Sequence, residues 1–127
     1  MPSTDVADLI EACLNRPDGE LALWIDEMPI TLQRQPGGWY FFAELQLPVA
    51  INNALMQRAL RLTAPALLHF GDRSAALCLH PQRETLCLLV RLKNDGREDA
   101  VVLLESLCNQ CEIWQETLLM LLRPTSL

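Results

Sequence analysis

Basic residues are scarce in this sequence. Ten Lys and Arg stand against 16 Asp and Glu, a formal net charge of −6. A nucleic-acid surface draws its salt-dependent affinity from clustered Lys and Arg, and an anionic membrane attracts the same groups. The charge balance therefore argues against both partners. Long apolar runs are missing as well. Charged and polar residues interrupt every apolar stretch well before the roughly 20 residues that a bilayer span requires. The opening segment, Met1-Pro2-Ser3-Thr4-Asp5-Val6-Ala7-Asp8, has no basic n-region and no continuous apolar h-region. No secretory signal is expected from it, and a cytoplasmic location is. Glycine is sparse, five in all, and none forms a phosphate loop. Gly37 and Gly38 follow Pro36 between two strand-like runs, with no helix behind them. The cysteine count of five is odd, which fits reduced thiols better than a disulfide framework.

Half of the 127 residues are apolar in the wide sense, so the chain is expected to fold as one domain spanning 1–127. It contains no repeat, low-complexity tract or linker. A first helix is predicted over Ser3–Asn15, with Val6, Ile10, Cys13 and Leu14 on one apolar face. Ser3, Thr4 and Asp5 offer N-cap oxygens. Three strand-like runs follow, Leu21–Ile25, Met28–Arg34 and Trp39–Leu47. Asp26-Glu27 and Gln35-Pro36-Gly37-Gly38 are the turns between them. Pro29 cannot donate a ladder hydrogen bond, so it marks the second run as a strand start or an edge. A second helix is predicted from Ala50 to Leu62 between Pro48 and Pro65, with a short extended piece at Ala66–Phe70. Two further strands, Ser74–His80 and Glu84–Lys93, come next. Leu86–Leu92 is apolar on both faces, which predicts a central strand covered on both sides.

The last helix begins near Arg97. Ala100, Leu104, Leu107, Cys111, Trp114, Leu118 and Leu121 repeat at alternating spacings of four and three. That heptad suits a coiled coil as well as a sheet-packed helix. For a single short helix closing a mixed domain, the sheet-packed reading is favoured. The fold class is therefore α+β: an antiparallel β-sheet with helices mainly on one face, in the order α-β-β-β-α-β-β-α.

Candidate chemistry is thin. Cys108-Asn109-Gln110-Cys111 has redox spacing, but it lies mid-helix with Cys111 on the apolar stripe, where thiols are inert. Cys78 and Cys87 face each other across a predicted hairpin, yet with His69 and His80 they match no zinc pattern. The histidines have no evident acid–base partner, and no nucleophile–base–orienter set is legible. No catalytic, metal or cofactor residues are expected, and no enzyme. What remains is surplus apolar surface. Trp39 and Phe41 share one face of the third strand, Tyr40 and Phe42 the other, and Trp24 lies opposite its strand's Leu/Ile face. One helical layer covers one sheet face, so the excess is expected to meet a partner.

Several segments together carry a family resemblance. Val6, Ile10 and Leu14 line an amphipathic first helix, and Leu23–Asp26 forms a first strand and turn. Leu45-x-Leu-Pro48 closes the third strand, and Cys111-Glu112-Ile113-Trp114 lies in the last helix. With the element order, the length and the sequence pI near 4.8, the chain resembles class I type III secretion chaperones along nearly its whole length. These are small cytoplasmic homodimers. The resemblance implies a protein that binds the N-terminal segment of a type III effector and keeps it secretion-competent without ATP. Strand addition plus side-chain pockets is the physical logic. The expected cargo groove comprises Trp24, Tyr40 and Phe42, with Ile30 and Leu32 beside them. The expected dimer interface is the second helix, through Leu55, Met56, Ala59 and Leu60. Two alternatives stand beside this reading. One is a regulatory protein of the same fold that sequesters a transcriptional regulator of type III secretion. The other is a thiol or metal sensor built on Cys78, Cys87, Cys108 and Cys111.

Overall fold

Alternation of apolar and polar residues decides how the sheet faces. The computed structural model describes residues 2–16, 19–48, 50–80, 82–93 and 96–122. Its strands are β1 (Glu20–Ile25), β2 (Met28–Gln35), β3 (Gly38–Glu44), β4 (Ala76–Leu79) and β5 (Leu86–Arg91). All neighbours pair antiparallel, in the order β1-β2-β3-β5-β4. Register carries one set of side chains to one face. Leu23 opposes Ile30, Ile30 opposes Ala43, and Ala43 opposes Leu88; Leu32 opposes Phe41, and Phe41 opposes Val90. Every one of these is buried. Burying a side chain such as Phe41 or Leu88 contributes about 1.5–3 kcal/mol.

The helices are α1 (Pro2–Leu14), α2 (Asn53–Arg61), α3 (Thr63–Phe70) and α4 (Arg97–Leu122). α4 lies along the apolar sheet face. Ala100, Leu104, Leu107, Cys111, Trp114 and Leu118 are all buried there, so the heptad stripe packs on a sheet. Leu121, its last member, is exposed. α1 packs beside α4 and adds Ile10 and Cys13 to the core. Ser3, Thr4 and Asp5 fall inside the first turn of α1 and do not precede it. α2 adds Leu55 and Ala59 to the same core. Its N-cap is Asn52, whose Oδ1 accepts the Leu55 N–H at 2.8 Å.

Three expectations are corrected. Ala66–Phe70 is helical, because Pro65 occupies the first turn of α3, where its missing N–H has no intrahelical partner to lose. Pro29 marks a strand start and not an edge: it is the second residue of β2, an interior strand, and the edges are β1 and β4. The two-residue turn at Asp26-Glu27 makes Ile25–Met28 the hydrogen-bonded pair that closes the hairpin. Pro29, one step further, turns its nitrogen toward β3, whose pairing with β2 begins only at Ile30. No ladder bond is lost. β5 is interior, one strand in from the β4 edge, and the helices that contribute to the core cover only one of its faces.

Candidate functional site: an uncovered sheet face

The opposite face of the sheet carries the other half of each strand. Antiparallel pairing arranges it in rows. Ala22, Thr31, Phe42, Leu89 and Ala76 form the middle row. Glu20, Gln33, Tyr40 and Arg91 lie to one side, and Trp24 and Pro29 to the other. A groove of about 710 Å³ runs over this face, lined by Pro29, Thr31, Tyr40, Phe42, His80 and Leu89 among others.

Each aromatic is held by a neighbour. A Cβ on Gly37 would stand 2.6 Å from the Tyr40 hydroxyl, so glycine there is what lets the phenol lie across the β2–β3 turn. Phe42 meets the His80 ring edge to face, with centroids 5.7 Å apart. His80 is itself oriented, since its Nδ1 accepts the backbone N–H groups of Gln82 and Arg83, each at 3.1 Å. A polar rim closes this end. Glu44 accepts from the Thr85 hydroxyl at 2.7 Å and pairs with the Arg83 guanidinium at 2.8 Å. Burial works against its charge, but the Thr85 and Arg83 hydrogen bonds and the Arg83 charge outweigh it, and its pKa lies below the usual carboxylate value. These polar groups are engaged with one another. What the face offers is apolar area with a structured rim, which is the chemistry of binding.

Tyr40 and Phe42 are neighbours in the groove. Trp24 lies on the same face, 74 % exposed, but at a corner two strands from Phe42, about 10 Å away at ordinary strand spacing. Ile30 and Leu32 are not on this face. They are 1 % and 0 % exposed beneath the helices, because they alternate with Thr31 and Gln33, the β2 residues that do face the groove. The expected interface on α2 is split in the same way. Leu55 and Ala59 belong to the protomer's own core, Met56 is half-buried, and only Leu60 is well exposed. The four cysteines of the sensor reading are not brought together. Cys78 and Cys87 are partners on the open face, while Cys108 and Cys111 lie on α4, on the other side of the sheet. Among the described residues no group of three or more His, Cys, Asp or Glu is placed to hold a metal ion.

Leu89 and the Glu44–Arg83–Thr85 rim were not singled out from sequence, and His80 was weighed only as a metal or acid–base candidate. The signal for Leu89 was present, since it alternates with Leu88 and Val90 in a strand apolar on both faces. Nothing local pairs Glu44 with residues about 40 positions away.

No family model matches the sequence, and none of the curated proteins matches it. A solved structure does match in shape. A chain in the crystal structure of the ExsC–ExsE complex superposes with a TM-score of 0.61. It is 16 % identical over 91 % of this chain and 94 % of that one. At that identity the likeness is one of fold, over nearly the whole of both chains.

Proposed function

We propose that this protein is a cytoplasmic chaperone of the type III secretion kind, a homodimer that binds the N-terminal segment of a secreted effector without catalysis and without ATP. The observation that carries the reading is the uncovered sheet face, with Tyr40 and Phe42 in one groove and Trp24 exposed at its corner. Two further facts support it. The fold neighbour was solved as a complex of two proteins, and the net charge of −6 disfavours nucleic acid. Among the described residues no helix is long and apolar enough to cross a membrane.

An extended apolar segment lying across β3 would place its side chains against Tyr40, Phe42 and Leu89. The β1 edge offers backbone groups for strand addition beside Trp24. Tagged protein expressed in the native host, wild type beside the Tyr40→Ser/Phe42→Ser double variant, tests this. The wild type is expected to capture one protein through its N-terminal segment. The double variant should lose several kcal/mol of affinity, since aromatic anchors contribute about 2–4 kcal/mol each. Its melting temperature should hold, because both side chains lie off the core. Collapse of stability, or unchanged capture, would remove the groove from the site. Capture of a transcriptional regulator in place of an effector would assign the protein the regulatory role on the same surface.

A further inference from the structure

Two thiols meet at one end of the open face. Cys78 of β4 and Cys87 of β5 are direct cross-strand partners. The Leu86 carbonyl accepts the Leu45 N–H at 2.8 Å, so the next residue, Cys87, turns its own N–H and C=O toward β4. The His80 N–H donates to the Thr85 carbonyl at 2.7 Å, the same phase two residues earlier. Cys78–Cys87 is therefore a hydrogen-bonded pair, with Cα atoms about 5.5 Å apart and both side chains on one face. Disulfides span Cα separations of about 4.4–6.8 Å.

The two sulfurs differ in access and in acidity. Cys78 is half-buried and Cys87 fully buried. The Cys87 thiol donates to the Thr85 carbonyl at 3.7 Å. The neighbouring Cys87 side chain lowers the Cys78 pKa against the effect of burial. The proximity of Cys78, then burial, raises that of Cys87. Reactive cysteines are accessible ones whose thiolate is stabilised. The pair at Cys108 and Cys111 shows the contrast, since burial raises both and pushes Cys111 up to about 12.

We infer that Cys78 and Cys87 form a reversible oxidative modification site, in which Cys78 meets the oxidant and Cys87 resolves it into a cross-strand disulfide. With hydrogen peroxide as oxidant, the Cys78 thiolate attacks one peroxide oxygen and the O–O bond breaks. The hydroxide released takes up the proton that Cys78 lost and becomes water, leaving a sulfenic acid on Cys78. Cys87 then yields its proton, its sulfur attacks the Cys78 sulfur, and the departing hydroxide leaves as a second water. Two thiols are oxidised to one disulfide, and one peroxide is reduced to two waters. A disulfide here would span an ordinary Cα separation. It would staple β4, a four-residue edge strand, to β5 beside the Glu44–His80 end of the groove. The inference does not depend on what the groove binds.

The test is stepwise peroxide treatment of the folded full chain, then alkylation with N-ethylmaleimide in denaturant, and intact-mass and peptide mapping. The expected first product has lost the mass of two hydrogens and two of the five alkylatable thiols, with the Cys78 and Cys87 peptides joined, and dithiothreitol restores all five. In Cys87→Ser, dimedone should label Cys78 as a sulfenic acid, while in Cys78→Ser it should leave Cys87 unlabelled. If a variant fails to fold, mapping of the wild type decides alone. A first link at Cys108–Cys111, a link between two chains, or five alkylatable thiols at peroxide levels that fully oxidise free glutathione would overturn the inference.

Discussion

Gln110 shows what a single polar side chain does inside an otherwise apolar layer. It is buried in α4 and fully used. Its Oε1 accepts the Ala75 N–H at 2.8 Å, and its Nε2 donates to the Arg73 carbonyl at 2.6 Å and to the Ser106 hydroxyl at 3.2 Å. These bonds pin the chain entering β4 to the last helix. The Cys-x-x-Cys spacing draws the eye to its thiols, yet the amide between them carries the interactions. Gln110→Ala would strand a buried donor and a carbonyl, a loss of about 2–3 kcal/mol that urea unfolding should read. Glu44 makes a second prediction, about pH. Its folded pKa lies below the unfolded value, so its contribution to stability is complete above the unfolded pKa, about 4.3. That contribution fades as pH falls through the folded pKa. The melting temperature of Glu44→Gln should therefore lie below that of the wild type at pH 7. The gap should narrow in acid, and a gap independent of pH would mean that the Arg83–Thr85 contacts do not act through the charge.

Elements with a strict period were the legible ones. α4, β2 and β3 follow from spacing alone, because one face of each is buried and a slip would expose it. The sheet order was not legible, since Pro29 says that one N–H is absent but not on which side of the strand. α3 was not legible either. The short, largely apolar run after Pro65 shows no amphipathic period, and its helix buries no side chain fully. The groove was half legible: alternation puts Tyr40 and Phe42 together, while the same alternation, applied to β2, excludes Ile30 and Leu32. The turn at Asp26-Glu27 was found by position, but its conformation is a surprise of chemistry. Both residues have positive φ, 51° and 66°, in the two-residue hairpin geometry that favours Asn-Gly. A left-handed non-glycine residue costs about 1–2 kcal/mol, partly offset in Glu27→Gly by the greater freedom of the unfolded glycine. The substitution should raise the melting temperature by a few degrees in a thermal scan. A fall would reveal that the Glu27 side chain has work beyond the turn.

For the whole molecule, helices on one face and an open sheet on the other leave two apolar surfaces in different places. The open face carries the groove of Tyr40 and Phe42. The second surface lies where α2, α3 and the end of α4 come together. Leu60, Leu67 and Leu68 are exposed there, Leu68 by 87 %, and Ile113 and Met120 are exposed on the flank of α4 that faces α3. Arg58 ties the corner by donating to the Leu121 carbonyl at 2.7 Å. Between α3 and α4 lies an apolar pocket of about 250 Å³ lined by Leu62, Ala66, Phe70, Ile113 and Trp114. A homodimer formed through helices would use this surface, since Leu55 and Ala59 already serve the protomer's own core. The two kinds of position separate the possibilities. Leu68→Asp exposes a charge that water already reaches, so the monomer should fold with nearly unchanged secondary structure. At an interface the same charge would be desolvated without a partner, and the dimer should dissociate. Leu55→Asp should instead unfold the protomer. Sedimentation at micromolar concentration, with circular dichroism on the same samples, reads both. A wild-type monomer would end the helical-dimer reading, and a Leu68→Asp dimer as tight as the wild type would move the two-fold axis away from α3.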